Sequence, residues 1–328
     1  MTDLHAGIRE ISIKDFRGID ELRLSFVDPR GYPTQIVVLG GPNGSGKTAV
    51  LEACLLACGH ESLVRGKVGR EAVRAGQSDY QIDAVVQIQQ GKHAVRCTSG
   101  GRGQSAAQLA LGVVVPFLYF SSWRASNLPG AIGITAGRRD KRPAKTEENR
   151  LWIIKQYFVN FRAHDLYSSS SSSGEPPRES GFSAAIQDLD RAWQMFYPDQ
   201  SFKVEPVSDE PDSGFDMFLL RPNLPRLSVD LMSSGQIELL TFAGGLIQEK
   251  SPQGIIVIDE PELHLDPQWH RLVLKAIQFL KPEWQIIVAT HSPEVFESVR
   301  SFERHFLVPP DDPRAAMWMA SSAKETGE

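Results

Sequence analysis

The stretch Gly41-Pro42-Asn43-Gly44-Ser45-Gly46-Lys47-Thr48 limits what this chain can become more than any other. It fits the pattern G-x-x-x-x-G-K-[ST] at every fixed position. An apolar run at 35–39 precedes it and a helix-like run at 49–58 follows. A strand that feeds a glycine-rich turn and then opens a helix aims backbone N–H groups and the positive end of a helix dipole at one anion. Gly41, Gly44 and Gly46 allow the backbone to approach that anion closely. In such a loop Lys47 reaches the β- and γ-phosphates and the Thr48 hydroxyl ligates Mg²⁺. The competing reading is an ordinary glycine-rich turn, and the strand-loop-helix context speaks against it.

Two later strand patterns end in polar residues of the right kind. The apolar run at 254–258 ends in Asp259 and Glu260, and the run at 285–289 ends in Thr290-His291-Ser292-Pro293. Ligands of open parallel sheets bind beyond the carboxyl ends of the strands, so Lys47, Thr48, Asp259, Glu260 and His291 are expected to meet around one nucleotide. Asp259 is expected to hold Mg²⁺ opposite Thr48, directly or through water. Glu260 is expected to polarise the water that attacks the γ-phosphate, and His291 to sense that phosphate or orient the water. Each residue alone has a plainer reading, a solvated turn or a satisfied structural histidine. Their joint appearance downstream of a phosphate loop favours a site.

The rest of the chain reads as α/β. Residues 8–26 alternate as two short strands about a turn at Arg17-Gly18. On periodicity alone, Lys14, Phe16 and Arg17 belong to a turn with solvated charges. The polar segment 61–77 carries Arg65, Lys67, Arg70 and Arg74 and reads as a basic face or a solvated helix surface. Residues 80–97 form a hairpin pattern turning at Gln90-Gly91-Lys92, and 113–120 reads as a buried strand. The densest basic run, 137–145, is a loop that serves either nucleic-acid contact or surface decoration. Helical patterns at 151–167 and 184–197 flank six serines, Ser168 to Ser173, which cannot build a core and are expected to be mobile. Strands at 202–207 and 215–220 lead to helix 237–249, and helix 268–280 precedes the last strand. The apolar residues lack the sustained heptads of a long coiled coil.

The 328 residues are 41% hydrophobic and 23% charged, an ordinary globular composition with room for a large core. A net charge of −5 argues against a chain coated in basic residues, though not against a local patch. Cys54, Cys58 and Cys97 read as small buried residues of a reducing compartment, and no secretory or spanning pattern is seen, so a cytoplasmic location is expected.

Ser233-Ser234-Gly235-Gln236, about two dozen residues before Asp259-Glu260, then Leu265-Asp266 and His291, resembles the ABC-type ATPases. The opening Ile11-Ser12-Ile13-Lys14-Asp15-Phe16-Arg17-Gly18 and the block from Asp259 to Pro267 look like the SMC/RecF/OLD-like group of AAA-type ATPases, which serves DNA repair, chromosome maintenance or phage defence. The likeness covers residues 8–52 and 229–293. It implies a P-loop ABC-type ATPase head with a mixed sheet, split by an inserted lobe of helices and strands. The expected division is 1–60 and 226–308 for the ATPase core, 61–225 for the lobe and 309–328 for a polar tail. It also implies that Ser233, Ser234, Gly235 and Gln236 form the signature that contacts ATP held by a second copy, that Asp266 lies at the dimer seam, that His291 is the switch histidine, and that Lys14 and Arg17 lie near the nucleotide. A Q-loop glutamine is expected, and Gln77, Gln81 and Gln87 are all available for it. OLD-type nucleases carry a Toprim domain with clustered acidic residues, and no such cluster is expected here. The implied activity is an ATP- and Mg²⁺-dependent switch that forms a two-fold homodimer around two ATP molecules and acts on DNA or a DNA-processing partner. The alternative is a regulatory or scaffold subunit that gates a separate nuclease or toxin without touching DNA.

Overall fold

The computed structural model describes residues 6–64, 68–88, 91–100, 115–122, 150–171, 181–208, 214–308 and 313. The basic run at 137–145, the serine-rich residues 172–177 and the tail from 309, apart from Pro313, lie outside them. The chain divides into two compact units: Met1–Ser122, Ser251–Leu263 and Glu283–Glu328 form the first, and Trp123–Lys250 and His264–Pro282 the second.

The first unit holds two sheets. Strands β1 (Gly7–Phe16), β2 (Ile19–Ser25), β4 (Gln81–Ile88) and β5 (Gly91–Thr98) pair antiparallel in the order β2-β1-β4-β5. The hairpin that the sequence places in the inserted lobe therefore pairs with the first strand of the chain. Gly91 and Lys92, expected in its turn, pair with Ile88 and Gln87 inside the ladder. The second sheet is parallel throughout: β3 (Ile36–Gly40), β6 (Phe117–Phe120), β10 (Gly254–Asp259), β11 (Trp284–Thr290) and β12 (Arg304–Phe306), ordered β12-β3-β11-β10-β6. Strands β10 and β11 are buried at every residue, as their unbroken apolar runs require of a sheet covered on both faces.

Helix α1 (Lys47–Ala57) packs against strands of both sheets and is buried nearly all round, which explains why its apolar residues fall on every side. Cys54, Cys58 and Cys97 are buried thiols in this core and form no disulfide, and burial pushes the Cys58 thiol up to about 12. One polar side chain crosses the core. Buried Gln285 accepts from the Ile8 amide at 2.7 Å and donates to the carbonyls of Ile8 (2.9 Å) and Thr34 (3.2 Å), satisfying its amide while tying β1 to β11. Between α1 and β4 the chain makes two short 3-10 turns, Glu61–Leu63 and Gly69–Ala72, rather than the helix surface suggested by its polar spacing. Gly69 and Gly76 adopt positive φ there, which an α-helix does not accept.

The second unit contains α2 (Arg150–Ser171), α3 (Gly181–Gln194), α4 (Ser234–Gln248), α5 (His270–Leu280) and an antiparallel sheet of β7 (Ser201–Pro206), β8 (Phe215–Arg221) and β9 (Leu224–Ser228). The backbone of α2 runs to Ser171, so the first four serines of the run continue the helix instead of interrupting it. Strand β9 has no alternating pattern and escaped the sequence reading. Its residues Leu224, Pro225 and Arg226 are exposed at an edge and take their position from β8.

Candidate functional site

Strand register builds the site. Gly40 of β3 pairs with Thr290 of β11, and Ala289 with Asp259 of β10, so three adjacent parallel strands end level with one another. The loop after β3, the Glu260 turn after β10 and His291 after β11 therefore emerge at one edge, where open parallel sheets bind ligands.

In the loop, Gly41, Gly44 and Gly46 have φ of 147°, 80° and 92°, values that side-chain-bearing residues avoid. Space is equally restrictive: a Cβ on Gly41 would lie 2.9 Å from Ser45 Oγ, and one on Gly46 would lie 3.2 Å from Ile19, which packs the turn after β1 beside the start of α1. Lys47 is 5% exposed. Its Nζ donates to the carbonyls of Gly41 (2.7 Å) and Pro42 (3.0 Å) and lies 3.3 Å from His291 Nδ1. Burial lowers the Lys47 pKa to about 8, against the attraction of Asp259, Glu260 and Glu262. An ammonium so held has lost much of its hydration and is drawn to an anion.

Thr48 Oγ1 donates to Asp259 Oδ2 at 3.0 Å, placing a hydroxyl and a carboxylate side by side. Hard oxygen donors of this kind suit Mg²⁺. Ser45 Oγ is buried with no partner among the described residues, a polar atom of the cradle left over for a ligand. These features fit a magnesium nucleotide.

Glu260 adopts φ of 55° and donates its amide to the Ala289 carbonyl at 2.8 Å, which turns its side chain away from the path of Asp259. Its Oε1 lies 3.3 Å from His291 Nε2. Because the Lys47 ammonium has only donors, Nδ1 of His291 accepts, and Nε2 carries the proton toward Glu260. Lys47, His291 and Glu260 thus form a directed chain.

Glu262 is the residue that sequence reasoning missed. Its Oε1 accepts from Thr290 Oγ1 (2.7 Å), the His291 amide (2.7 Å) and the Ser292 amide (3.1 Å). One carboxylate oxygen therefore fixes the backbone on both sides of the histidine. The signal was its position, a third acid within four residues of a strand end, where solvation is the usual outcome.

Arg17 also belongs to the first unit, with φ of 50° in the turn after β1, and its Nε meets Glu52 of α1 at 2.5 Å. It braces that turn on the helix that begins at Lys47. Gln81 and Gln87 lie on β4, bonded to Asp83 and Arg9, and Gln77 is exposed.

The motif at 233–236 lies in the second unit. Ser233 caps α4: its Oγ accepts from the Gln236 amide at 3.4 Å while Gln236 Oε1 accepts from the Ser233 amide at 3.1 Å. A Cβ on Gly235 would come within 2.4 Å of the His264 carbonyl, so glycine is required for this helix to approach the segment leading to Asp266. Asp266 caps the turn Pro267–Trp269, accepting from the Gln268 amide at 3.1 Å. Trp269 in turn contacts Tyr197, ring centroids 4.8 Å apart.

Comparison with known proteins bears on the fold and the general kind of protein. Residues 10–151 match a family described as an AAA domain, and residues 138–297 match one described as "AAA domain, putative AbiEii toxin, Type IV TA system". The chain is 24% identical to the Septu protein PtuA of Bacillus thuringiensis over 315 residues, 89% of this chain and 73% of that protein. It is 23% identical to the OLD nuclease of Thermus scotoductus, covering 93% of this chain but only 62% of the relative. Among solved structures, the Smc head domain with an extended coiled coil bound to the C-terminal domain of ScpA, from Pyrococcus furiosus, superposes with a TM-score of 0.53 at 12% identity, over 90% of this chain and 92% of that one. Together the two AAA-domain matches span residues 10–297, and these likenesses support an ATPase that resembles the ABC-type SMC/RecF/OLD-like group. Its fold is that of a P-loop NTPase. No helix among the described residues is long and apolar enough to cross a membrane.

Proposed function

We propose that the chain binds ATP with Mg²⁺ at the edge formed by β3, β10 and β11, hydrolyses it to ADP and phosphate, and uses the cycle to join and release a second copy. The observation that carries this reading is the Thr48–Asp259 contact beside Lys47, with Glu260 and His291 completing the same edge. The loop amides and Lys47 hold the phosphates, and Thr48 and Asp259 hold the metal. Bound there, Mg²⁺ neutralises charge on the phosphate oxygens. Glu260 orients the attacking water and takes its proton, and His291 fixes the Glu260 carboxylate through Nε2. Residues 233–236 and Asp266 serve the nucleotide of the other copy, in an isologous two-fold dimer.

The dimer acts on DNA or a DNA-processing partner, in DNA repair or anti-phage defence. Relatives named as a nuclease and as a Septu protein support that direction. The second reading, a regulatory subunit that gates a separate nuclease or toxin, is favoured by the net charge of −5. A salt series of duplex binding separates them, because each neutralised phosphate adds about 0.9 to the slope of log affinity against log salt. No binding at low salt supports the second reading.

The switch is tested with Glu260→Gln and Lys47→Ala. Glu260→Gln is expected to bind ATP and accumulate as a dimer in light scattering, and Lys47→Ala to lose both properties. A monomeric Glu260→Gln chain at saturating ATP and Mg²⁺ would sink the sandwich.

A further inference from the structure

The second unit contains an ion cluster built around one fully buried lysine. Lys155 of α2 is 0% exposed, and its Nζ contacts Asp216 Oδ1 of β8 at 2.7 Å and Asp230 Oδ2 at 2.8 Å. Asp216 is well supplied otherwise, accepting from Ser228 Oγ and from its own neighbour's amide at Met217. Asp230 is not: its Oδ1 is buried with no partner among the described residues. Two carboxylates thus face one buried ammonium. Clusters of this kind return little stability for the desolvation they require, and are better explained when they fix a geometry.

The geometry in question is the entry to residues 233–236. Asp230 sits in the 3-10 turn Val229–Leu231, which Ser228 caps through the Asp230 amide at 3.4 Å. Met232 follows, its amide bonded to the Val229 carbonyl at 3.3 Å, and Ser233 is next, already the cap of α4. No slack residue separates the tethered aspartate from the motif. Val229 and Met232 are buried on either side of the turn's tip, where Leu231 is 72% exposed, so the tether acts on a turn already seated at both ends.

We propose that Lys155 is a positioning residue for the motif at 233–236: through Asp230 it sets the turn that delivers Ser233, and so sets the surface that closes over a second copy's nucleotide. This rests on the sandwich reading above.

The test uses full-length chain in the Glu260→Gln background. Asp230→Ala leaves Lys155 and Asp216 as a neutral pair but cuts the tether. It is expected to bind ATP within about twofold of its parent, to lose ATP-driven dimerisation, and to exchange the backbone amides of residues 229–240 about tenfold faster. Asp216→Asn also leaves one aspartate opposite Lys155 and keeps an acceptor for Ser228, and is expected to retain all three properties. A merely structural cluster predicts that both variants behave alike. Retained dimerisation in Asp230→Ala, or exchange no faster than in Asp216→Asn, overturns the proposal. Should Asp230→Ala not fold, Asp230→Ser, whose shorter side chain also releases Lys155, takes its place under the same criteria. If the parent itself stays monomeric, the sandwich reading has failed, and the exchange comparison alone decides the positioning role.

Discussion

Two of the buried lysines, Lys47 in the first unit and Lys155 in the second, show how the same side chain serves opposite ends. Lys155 spends its ammonium on two carboxylates and has no exposed surface, so its charge is answered from within. Lys47 rests on two backbone carbonyls and a histidine nitrogen, and the acids that attract it belong to the same strand-end edge. Carbonyls solvate an ammonium without neutralising it. A buried ammonium resting on carbonyls rather than on a carboxylate, beside an unpartnered Ser45 hydroxyl, marks a place built for an incoming anion, whereas buried charge already paired marks a fixed joint.

The contrast breaks first, and most heavily, on substitution. Lys47→Ala is expected to weaken ATP binding by more than about a hundredfold, the loss of a charge-assisted contact in a partly desolvated site. Lys155→Met is expected to leave ATP affinity within about twofold and instead lower the melting temperature, because it strands two buried aspartates. Fluorescent-nucleotide titration and thermal unfolding of both variants check this. Equal losses of affinity would erase the distinction.

Glu262→Ala comes next. It removes the acceptor shared by Thr290 and the amides of His291 and Ser292, so His291 is no longer held toward Glu260. Turnover is expected to fall about tenfold or more with KM within about twofold, the mark of a group that acts after binding. Steady-state kinetics decide it, and a change confined to KM would remove Glu262 from the hydrolytic arrangement.

The pH response of Lys47 sharpens the comparison further. Its folded pKa of about 8 lies below the ordinary 10.5. Between those values the unfolded chain binds the proton and the folded one does not, so this group makes stability rise with pH across the window. ATP binding runs the other way, because it needs the ammonium: affinity is expected to fall about tenfold per unit above pH 8. Glu262→Gln removes one of the charges that hold the proton and should move the midpoint down. Affinity constant from pH 7 to 9.5 would show that Lys47 stays charged throughout.

What the sequence made legible follows from how local each signal is. The loop 41–48 and the polar ends of β10 and β11 are readable because period, glycine and a terminal polar residue all lie within one short run. Thr48 meeting Asp259 follows from those runs only once the strands are known to be neighbours, and their level ends come from register. Glu262 was hidden because its partners lie 28 to 30 residues away, on the far side of α5. Arg17 looked like a solvated turn residue, and its ion pair with Glu52 depends on the turn after β1 packing beside Gly46. Nor could the pairing of β4 with β1 be read, since a hairpin pattern fixes its own two strands and says nothing of the third.

The smallest effect concerns residues 233–236, where one hydroxyl answers to two demands. In the single chain Ser233 Oγ is spent on the Gln236 amide, so Ser233→Ala is expected to cost about 1 kcal/mol of stability, the ordinary price of losing a helix cap, measurable by urea unfolding. Ser233→Asp preserves the cap, since aspartate is as good an N-cap as serine, and adds an anion at a helix N-terminus that already favours one. Its stability should match the parent within about 0.5 kcal/mol. If the motif also meets a second copy's γ-phosphate, the same aspartate repels that phosphate and ATP-driven dimerisation disappears while stability stays unchanged. An aspartate variant that still dimerises would leave Ser233 a helix cap and nothing more, and the trans contact would have to be sought at Ser234 or Gly235.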